Sequence, residues 1–319
     1  MQALLKQLQF ELKYFAVGRG QIETLFIGGG TPSTVAPELY VPLFELLAPY
    51  LKKGAEMTTE ANPNSATRKW LSGMRALGIN RVSFGVQSFH AGKLKALNRA
   101  HTPQQAKEAI LTAKALGFEH LSLDLIYNYR GDTKSLLKED IETAFSLPID
   151  HLSAYELTIE EGTPFSTTPE VRQEDDNIAF FVAEEIQKHG FKQYEISNFG
   201  TYESTHNKGY WKLDDYIGAG AGAVGFLRER RFYPHTDIDA YIATPHYRRE
   251  EPLSQEEMLT EKLFLGLRSA IGIEKAILTQ RIHHNAKELC TEGKLTETLT
   301  HYYNTDYFIS DALALYLLE

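Results

Sequence analysis

Three consecutive glycines close an apolar stretch near the start of the chain, and they are the first feature with chemical content. Residues 24–27 run into Gly28, Gly29 and Gly30, followed by Thr31, Pro32 and Ser33. Lacking Cβ atoms, such a loop lets backbone N–H groups approach a carboxylate or phosphate; it serves equally as a tight strand-to-helix turn. The run is neither Gly-x-Gly-x-x-Gly nor a Walker A loop, which would need Lys followed by Ser or Thr. Glu60, Gln87, Asp124 and Glu156 fall near the ends, or on one face, of strand-like segments. Each alone reads as an ordinary strand-end polar residue, and their recurrence in register points to a lined site. Farther along, His206 stands beside Tyr210 and Trp211, which suits either a packed loop histidine or a metal ligand among aromatic rings. Arg228, Arg230 and Arg231 form a basic cluster, either a solvated face or a partner for ligand carboxylates. Adjacent His283 and His284 would point to different helix faces, which argues against a two-His metal site.

These residues need a scaffold. Strand-like segments at 24–27, 56–60, 81–86, 120–126 and 151–159, then 192–197, alternate with amphipathic stretches at 37–53, 67–77, 103–116 and 133–145. Strand starts recur roughly every 25 to 39 residues, the period of βα units around a parallel sheet. Gly78 and Gly117 mark the ends of two helices. Within 121–125 the leucines share one face while Ser122 and Asp124 share the other; Thr58 with Glu60, and Ala154 with Glu156, repeat the alternation. A sheet covered on both faces would have near-continuous apolar strands. The expectation is therefore an α/β fold, an open or ligand-filled barrel with a wet inner face and its chemistry at the strand C-termini.

Before the first strand, Leu4, Leu5, Leu8, Leu12 and Phe15 mark one face of a helix. Residues 199–211 read as a loop, and the alternating glycines of 218–222 as a close backbone approach or a packing contact. From about residue 250, helical stretches at 256–267 and 273–281 precede an alternating segment at 302–318. The expected organisation is a barrel over 1–200, a connecting segment over 201–250, and a small helical or winged-helix-like domain over 251–319.

Composition narrows the class. With 319 residues, 43% of them hydrophobic, the chain can bury a real core. Formal net charge is −9, and residues 251–319 carry 6 basic and 11 acidic side chains, so nucleic acid is not an expected partner. The longest apolar run, 217–227, has 11 residues, too short to span a membrane, and no signal peptide is visible. The single cysteine, Cys290, excludes an intrachain disulfide, which fits a reducing cytoplasm, and cannot by itself hold an iron–sulfur cluster.

Several motifs taken together resemble the oxygen-independent coproporphyrinogen III oxidase-like family of radical S-adenosylmethionine (SAM) proteins, and within it the haem-chaperone branch. They are Phe26-Ile-Gly-Gly-Gly-Thr-Pro-Ser33, Glu60-Ala-Asn-Pro63, the segment from Gly78 to Phe89, Asn98-Arg99, Leu123-Asp-Leu-Ile-Tyr127 and His206-Asn-x-x-Tyr-Trp211. The resemblance covers nearly the whole chain. It implies a partial (β/α) TIM-like barrel holding SAM, with Gly29, Gly30 and Thr31 at the methionine end of the cofactor. Glu60, Gln87, Arg99 and Asp124, spaced by 27, 12 and 25 residues, would be its polar contacts. The same resemblance implies that His206 is the axial haem ligand, with Tyr210 and Trp211 offering aromatic surface to the porphyrin. The implied partners are haem and an apo-haemoprotein acceptor, with peripheral membrane association where the acceptor resides in a membrane. Two rivals stand beside the chaperone: a coproporphyrinogen III oxidase of porphyrin biosynthesis, and a binding barrel without a cluster.

The sequence departs from the family in two places. The Cys-x-x-x-Cys-x-x-Cys loop that holds a [4Fe–4S] cluster in this family is missing, and so is the first barrel strand that precedes it. Two explanations compete, a Met1 that is an internal methionine of a longer frame and a natural variant without a cluster; the first is the expectation, and with it that residues 24–27, left as an uncovered edge, make this chain poorly soluble alone. After the strand at 120–126, the family's Tyr-Gly-Leu-Pro-Gly is replaced by Tyr127-Asn128-Tyr129-Arg130-Gly131, which changes the backbone preferences of that turn.

Overall fold

The structure, a computed structural model, describes residues 1–159, 162, 164–173 and 175–319. After helix α1 (Gln2–Tyr14), strands and helices alternate: β1 (Ile22–Ile27), α2 (Val41–Leu47), β2 (Leu51–Ala61), α3 (Arg68–Ala76), β3 (Arg81–Gln87), α4 (Ala91–Ala96) and α5 (Pro103–Ala115). There follow β4 (His120–Tyr127), α6 (Lys134–Phe145), β5 (His151–Glu156), α7 (Asp176–Lys188), β6 (Lys192–Gln193) and β7 (Asn198–Gly200). These strands form one sheet in the order β1-β2-β3-β4-β5-β7-β6. From β2 to β5 the pairing is parallel, whereas β7 runs antiparallel to both β5 and β6.

Local chemistry sets the element ends. Thr67, Thr102 and Thr133 accept from the backbone N–H groups of Trp70, Gln105 and Leu136, capping α3, α5 and α6. The stretch 37–53, expected as one helix, is instead a 3₁₀ turn (Pro37–Tyr40), α2, and then β2 from Leu51. Pro42 restarts the helix, and Pro49, with no N–H to donate, stops it. The strand expected at 192–197 shrinks to β6 because the chain turns back, Tyr194 N donating to the Asn198 carbonyl at 3.1 Å.

One sheet face is apolar: Val82, Phe84, Val86, Leu121, Leu123 and Leu125 are buried, and α5, α6 and α7 contact these strands. Register carries polar residues across the other face. Thr58 pairs with Arg81, Glu60 with Ser83, Ser83 with Ser122, Ser122 with His151, and Asp124 with Ser153. Paired residues share a face, and a shift of one residue reverses it. In β5 the polar inner positions are therefore His151 and Ser153; Ala154 and Glu156, expected there, point the other way.

The chain divides into two compact units, one comprising Thr24–Glu38 and Glu56–Glu203, the other Met1–Glu23, Leu39–Ala55 and Ser204–Glu319. Within the second, α1 buries Gln7 and Glu11 beside Leu8 and Leu12. Gln7 accepts from Gly220 N (2.8 Å) and Tyr241 Oη (2.7 Å) and donates to the Gly218 carbonyl (3.2 Å), while Gly218 is required by close approach of the Val224 backbone, whose carbonyl oxygen would lie 2.1 Å from an added Cβ. Glu11 forms a buried ion pair with Arg248.

The second unit continues with α8 (Thr205–Lys212), β8 (Gly225–Leu227), β9 (Arg230–Pro234), α9 (Ile238–Ala243) and β10 (Arg248–Pro252), the strands pairing antiparallel. Its C-terminal part has α10 (Gln255–Leu267), β11 (Ile273–Glu274), α11 (Gln280–Thr291), β12 (Leu295–Glu297), β13 (His301–Asn304) and α12 (Ser310–Leu318). A core of Leu263, Leu267, Ile282, Leu289, Tyr302 and Leu317 joins these helices to the antiparallel strands. The helix expected at 273–281 begins only after Thr279, whose hydroxyl caps α11. Among the described residues, no helix is long and apolar enough to cross a membrane.

Candidate functional site

The glycine loop is built around Glu60. A Cβ added at Gly28 would lie 2.7 Å from a Phe26 ring carbon and 3.1 Å from the Glu60 carboxyl carbon, so no side chain fits there. Gly29 takes φ +98°, in the left-handed region, and its N–H donates to the Glu60 carboxylate. Beside Gly29 and Gly30 the space is open. Thr31 Oγ1 accepts from Asn62 Nδ2 at 3.4 Å, and Ser33 Oγ accepts from Asn62 N at 3.0 Å. The Glu60-Ala-Asn segment and the glycine loop are thus tied together.

Gln87 ends β3 at a register irregularity, with φ +69°, and is buried with its Oε1 lacking any hydrogen-bond partner. Arg99 follows α4, which is pinned from below: Lys93 Nζ donates to the Ile126 carbonyl (2.6 Å) and to Asp132 Oδ1 (2.7 Å). Asp124, in β4, accepts from Ser83 Oγ at 3.4 Å and from the Ser153 hydroxyl.

Electrostatics links these groups. Burial raises the Asp124 carboxyl to about 6, opposed by the Ser153 and Ser83 hydroxyls and by the Arg81 and Arg99 charges. Glu60 is raised by burial and then by the Asp124 charge, while the Gly29 N–H pulls it down. Arg99 is lowered by burial, with Asp124 opposing. Gly29, Glu60, Arg99 and Asp124 therefore share one field, which Gln87 flanks from the end of the neighbouring β3. Sequence reading missed Arg81, Ser83 and Ser153 as its companions, because strand register, which the alternation within one strand does not determine, brings them to Asp124. Glu156 does not join: it accepts from Arg172 Nη2 (2.9 Å) and Asn128 Nδ2 (3.1 Å). Asn128 takes φ +64° in the turn after β4, a conformation Asn tolerates better than most residues.

This arrangement offers backbone N–H groups and a guanidinium for a carboxylate, Glu60 for an ammonium, and Asp124 for hydroxyls. The unsatisfied acceptor on Gln87 is what a bound donor would complete. The residues present fit SAM, which carries all of these groups. They do not fit a three-thiolate cluster: the one thiol, Cys290, lies on α11, packed against the C-terminal core and raised by burial. Among the described residues, no group of three or more His, Cys, Asp or Glu side chains could hold a metal ion.

The second candidate group lies on α8, where a loop was expected. Ser204 Oγ caps the helix by accepting from Asn207 N at 3.3 Å, and Gly209 in its interior lowers its intrinsic helix propensity. One turn apart, His206 Nε2 and the Tyr210 hydroxyl are 3.1 Å from each other, the rings edge-on with centroids 4.9 Å apart at 87°. Tyr210 is edge-on to Tyr216 (4.7 Å, 83°), and Tyr216 stacks on Phe226. Trp211, five residues beyond His206, sits about 140° around the helix from it. The helix brings His206 and Tyr210 together and leaves Trp211 on another side. Within the basic cluster, Arg230 and Arg231 pair with the chain's own Glu250 and Glu261.

Comparison with known proteins places the chain in a family. The radical SAM superfamily profile matches residues 5–144. The haem chaperone HemW of Lactococcus lactis is 31% identical over all of this chain and 86% of its own length. HemW of Bacillus subtilis is 33% identical over 81% of this chain and 73% of its own. Among solved structures, coproporphyrinogen III oxidase (HemN) from Escherichia coli superposes with a TM-score of 0.81 over 99% of this chain and 82% of its own, at 16% identity. The chain belongs to the radical SAM superfamily, in the HemN-like family that includes the haem chaperone HemW.

Proposed function

We propose that this protein is a haem chaperone that binds haem through His206 and passes it to an apo-haemoprotein. The observation that carries the reading is His206 on α8, with Tyr210 on the same face, in a chain related to HemW over its whole length. An imidazole on a surface helix supplies an axial ligand without enclosing the porphyrin, which suits a cargo that must leave again. The likeness to HemN is one of fold and brings no oxidase chemistry with it.

SAM would be held by the Gly29-Gly30 loop, where the Gly29 N–H orients Glu60 and the Gly30 N–H faces the ligand, together with Thr31, Glu60, Gln87, Arg99 and Asp124. When bound to an open iron of a cluster, SAM supplies a radical; this chain's residues provide no such cluster site, so their work is to bind and orient the cofactor. The test is titration of hemin into the purified chain. A Soret band in the wild type that is lost in His206→Ala is expected. An unchanged band in His206→Ala removes His206 from its role, and no band in the wild type removes the haem reading.

A further inference from the structure

We infer that Tyr210 is a latch on His206: its hydroxyl occupies the imidazole nitrogen that haem iron would take, and binding must break that contact. This rests on the haem-binding reading above. The two residues lie one turn apart on α8, with Nε2 and the hydroxyl oxygen 3.1 Å apart. Either tautomer gives the same result. If the hydroxyl donates, it uses the Nε2 lone pair; if Nε2 carries the proton, the nitrogen has no lone pair for iron. Iron ligation through Nε2 therefore begins with loss of this hydrogen bond.

The latch is held in place from behind. Tyr210 is packed edge-on against Tyr216 at 4.7 Å, and Tyr216 is fixed by reciprocal backbone hydrogen bonds with Phe226, both 2.8 Å. Tyr210 nevertheless remains 42% exposed as a residue, which leaves it room to swing outward when the imidazole is claimed. A single hydrogen bond in a partly solvated place carries a modest net free energy. It would hold haem affinity below that of a bare imidazole without preventing binding, a sensible setting for a protein that must also release its cargo.

The test is Tyr210→Phe, which keeps the ring and its packing and removes only the hydroxyl. Hemin titration of the full chain is expected to give binding about two- to tenfold tighter than wild type. Unchanged or weaker binding in Tyr210→Phe overturns the latch. A second measurement needs no haem: carbethoxylation of His206 by diethyl pyrocarbonate at fixed pH, followed by peptide mass spectrometry. The rate should rise several-fold in Tyr210→Phe while the other histidines keep theirs; an unchanged His206 rate also overturns the latch. A faster His206 rate in a protein that never shows a Soret band would leave the contact real and defeat the haem reading alone, so the two failures are distinguishable.

Discussion

Asp124 is the residue whose surroundings matter most to the candidate SAM site, because burial holds it at about 6 despite two nearby arginines and two serine hydroxyls. In the unfolded chain an aspartate titrates near 3.9. The folded state thus binds this proton more tightly than the unfolded one. Its contribution to stability is fully present below about pH 4, is lost as pH rises through about 6, and stays lost above. Asp124→Asn should therefore stabilise the protein at pH 7, by at most about 3 kcal/mol for a shift of two units, with the advantage fading by pH 4. Denaturant unfolding at pH 4, 5.5 and 7 measures this, and a variant less stable than wild type at pH 7 would refute it. Asp124 was legible in the sequence because period-two alternation in 121–125 exposes it among leucines. Its serine companions were not, since Ser83 and Ser153 reach it only through strand register, which alternation does not determine.

At the scale of elements, α4 depends on a pair that no local pattern reveals. Lys93 and Asp132 are 39 residues apart, and their side chains are 6% and 1% exposed. A lysine on a six-residue helix reads as solvated, yet here it ties the helix between Gln87 and Arg99 to the turn after β4. Removing one partner leaves the other charge buried and unpaired, so Lys93→Met should cost about 3–5 kcal/mol, read as a lowered denaturation midpoint. The double change Lys93→Met with Asp132→Leu should recover a large part of that loss; a double variant no better than the single one would argue against the pair as the cause. Other element errors have equally specific origins. The helix expected across 37–53 is a 3₁₀ turn followed by α2, which carries Pro42 in its first turn and stops before Pro49, and α8 forms where a loop was expected, capped by Ser204 although Gly209 lowers its helix propensity. The parallel strands β2 to β5, by contrast, were legible from spacing and one-sided polarity.

Across the whole molecule, the two candidate sites belong to different compact units, the glycine loop with Glu60, Gln87, Arg99 and Asp124 to one and α8 to the other. Sequence order conceals part of this organisation: Gln7 meets its partners Gly218, Gly220 and Tyr241 across 211, 213 and 234 residues. A ligand that binds only the folded state stabilises it by mass action, about 2.7 kcal/mol at a hundredfold excess over Kd. Its imprint on local opening is strongest where it makes contact. SAM should therefore slow amide hydrogen exchange at residues 28–31 and 87–99, and hemin should slow it at residues 205–212. Glu60→Gln, which removes the charge that would meet the SAM ammonium, should abolish the first effect and spare the second; His206→Ala should do the reverse. Slowed exchange at 205–212 on adding SAM, with residues 28–31 unchanged, would place the cofactor elsewhere. Loss of both effects in Glu60→Gln would mean that the half-buried carboxylate beside Gly28 supports the fold rather than the ligand.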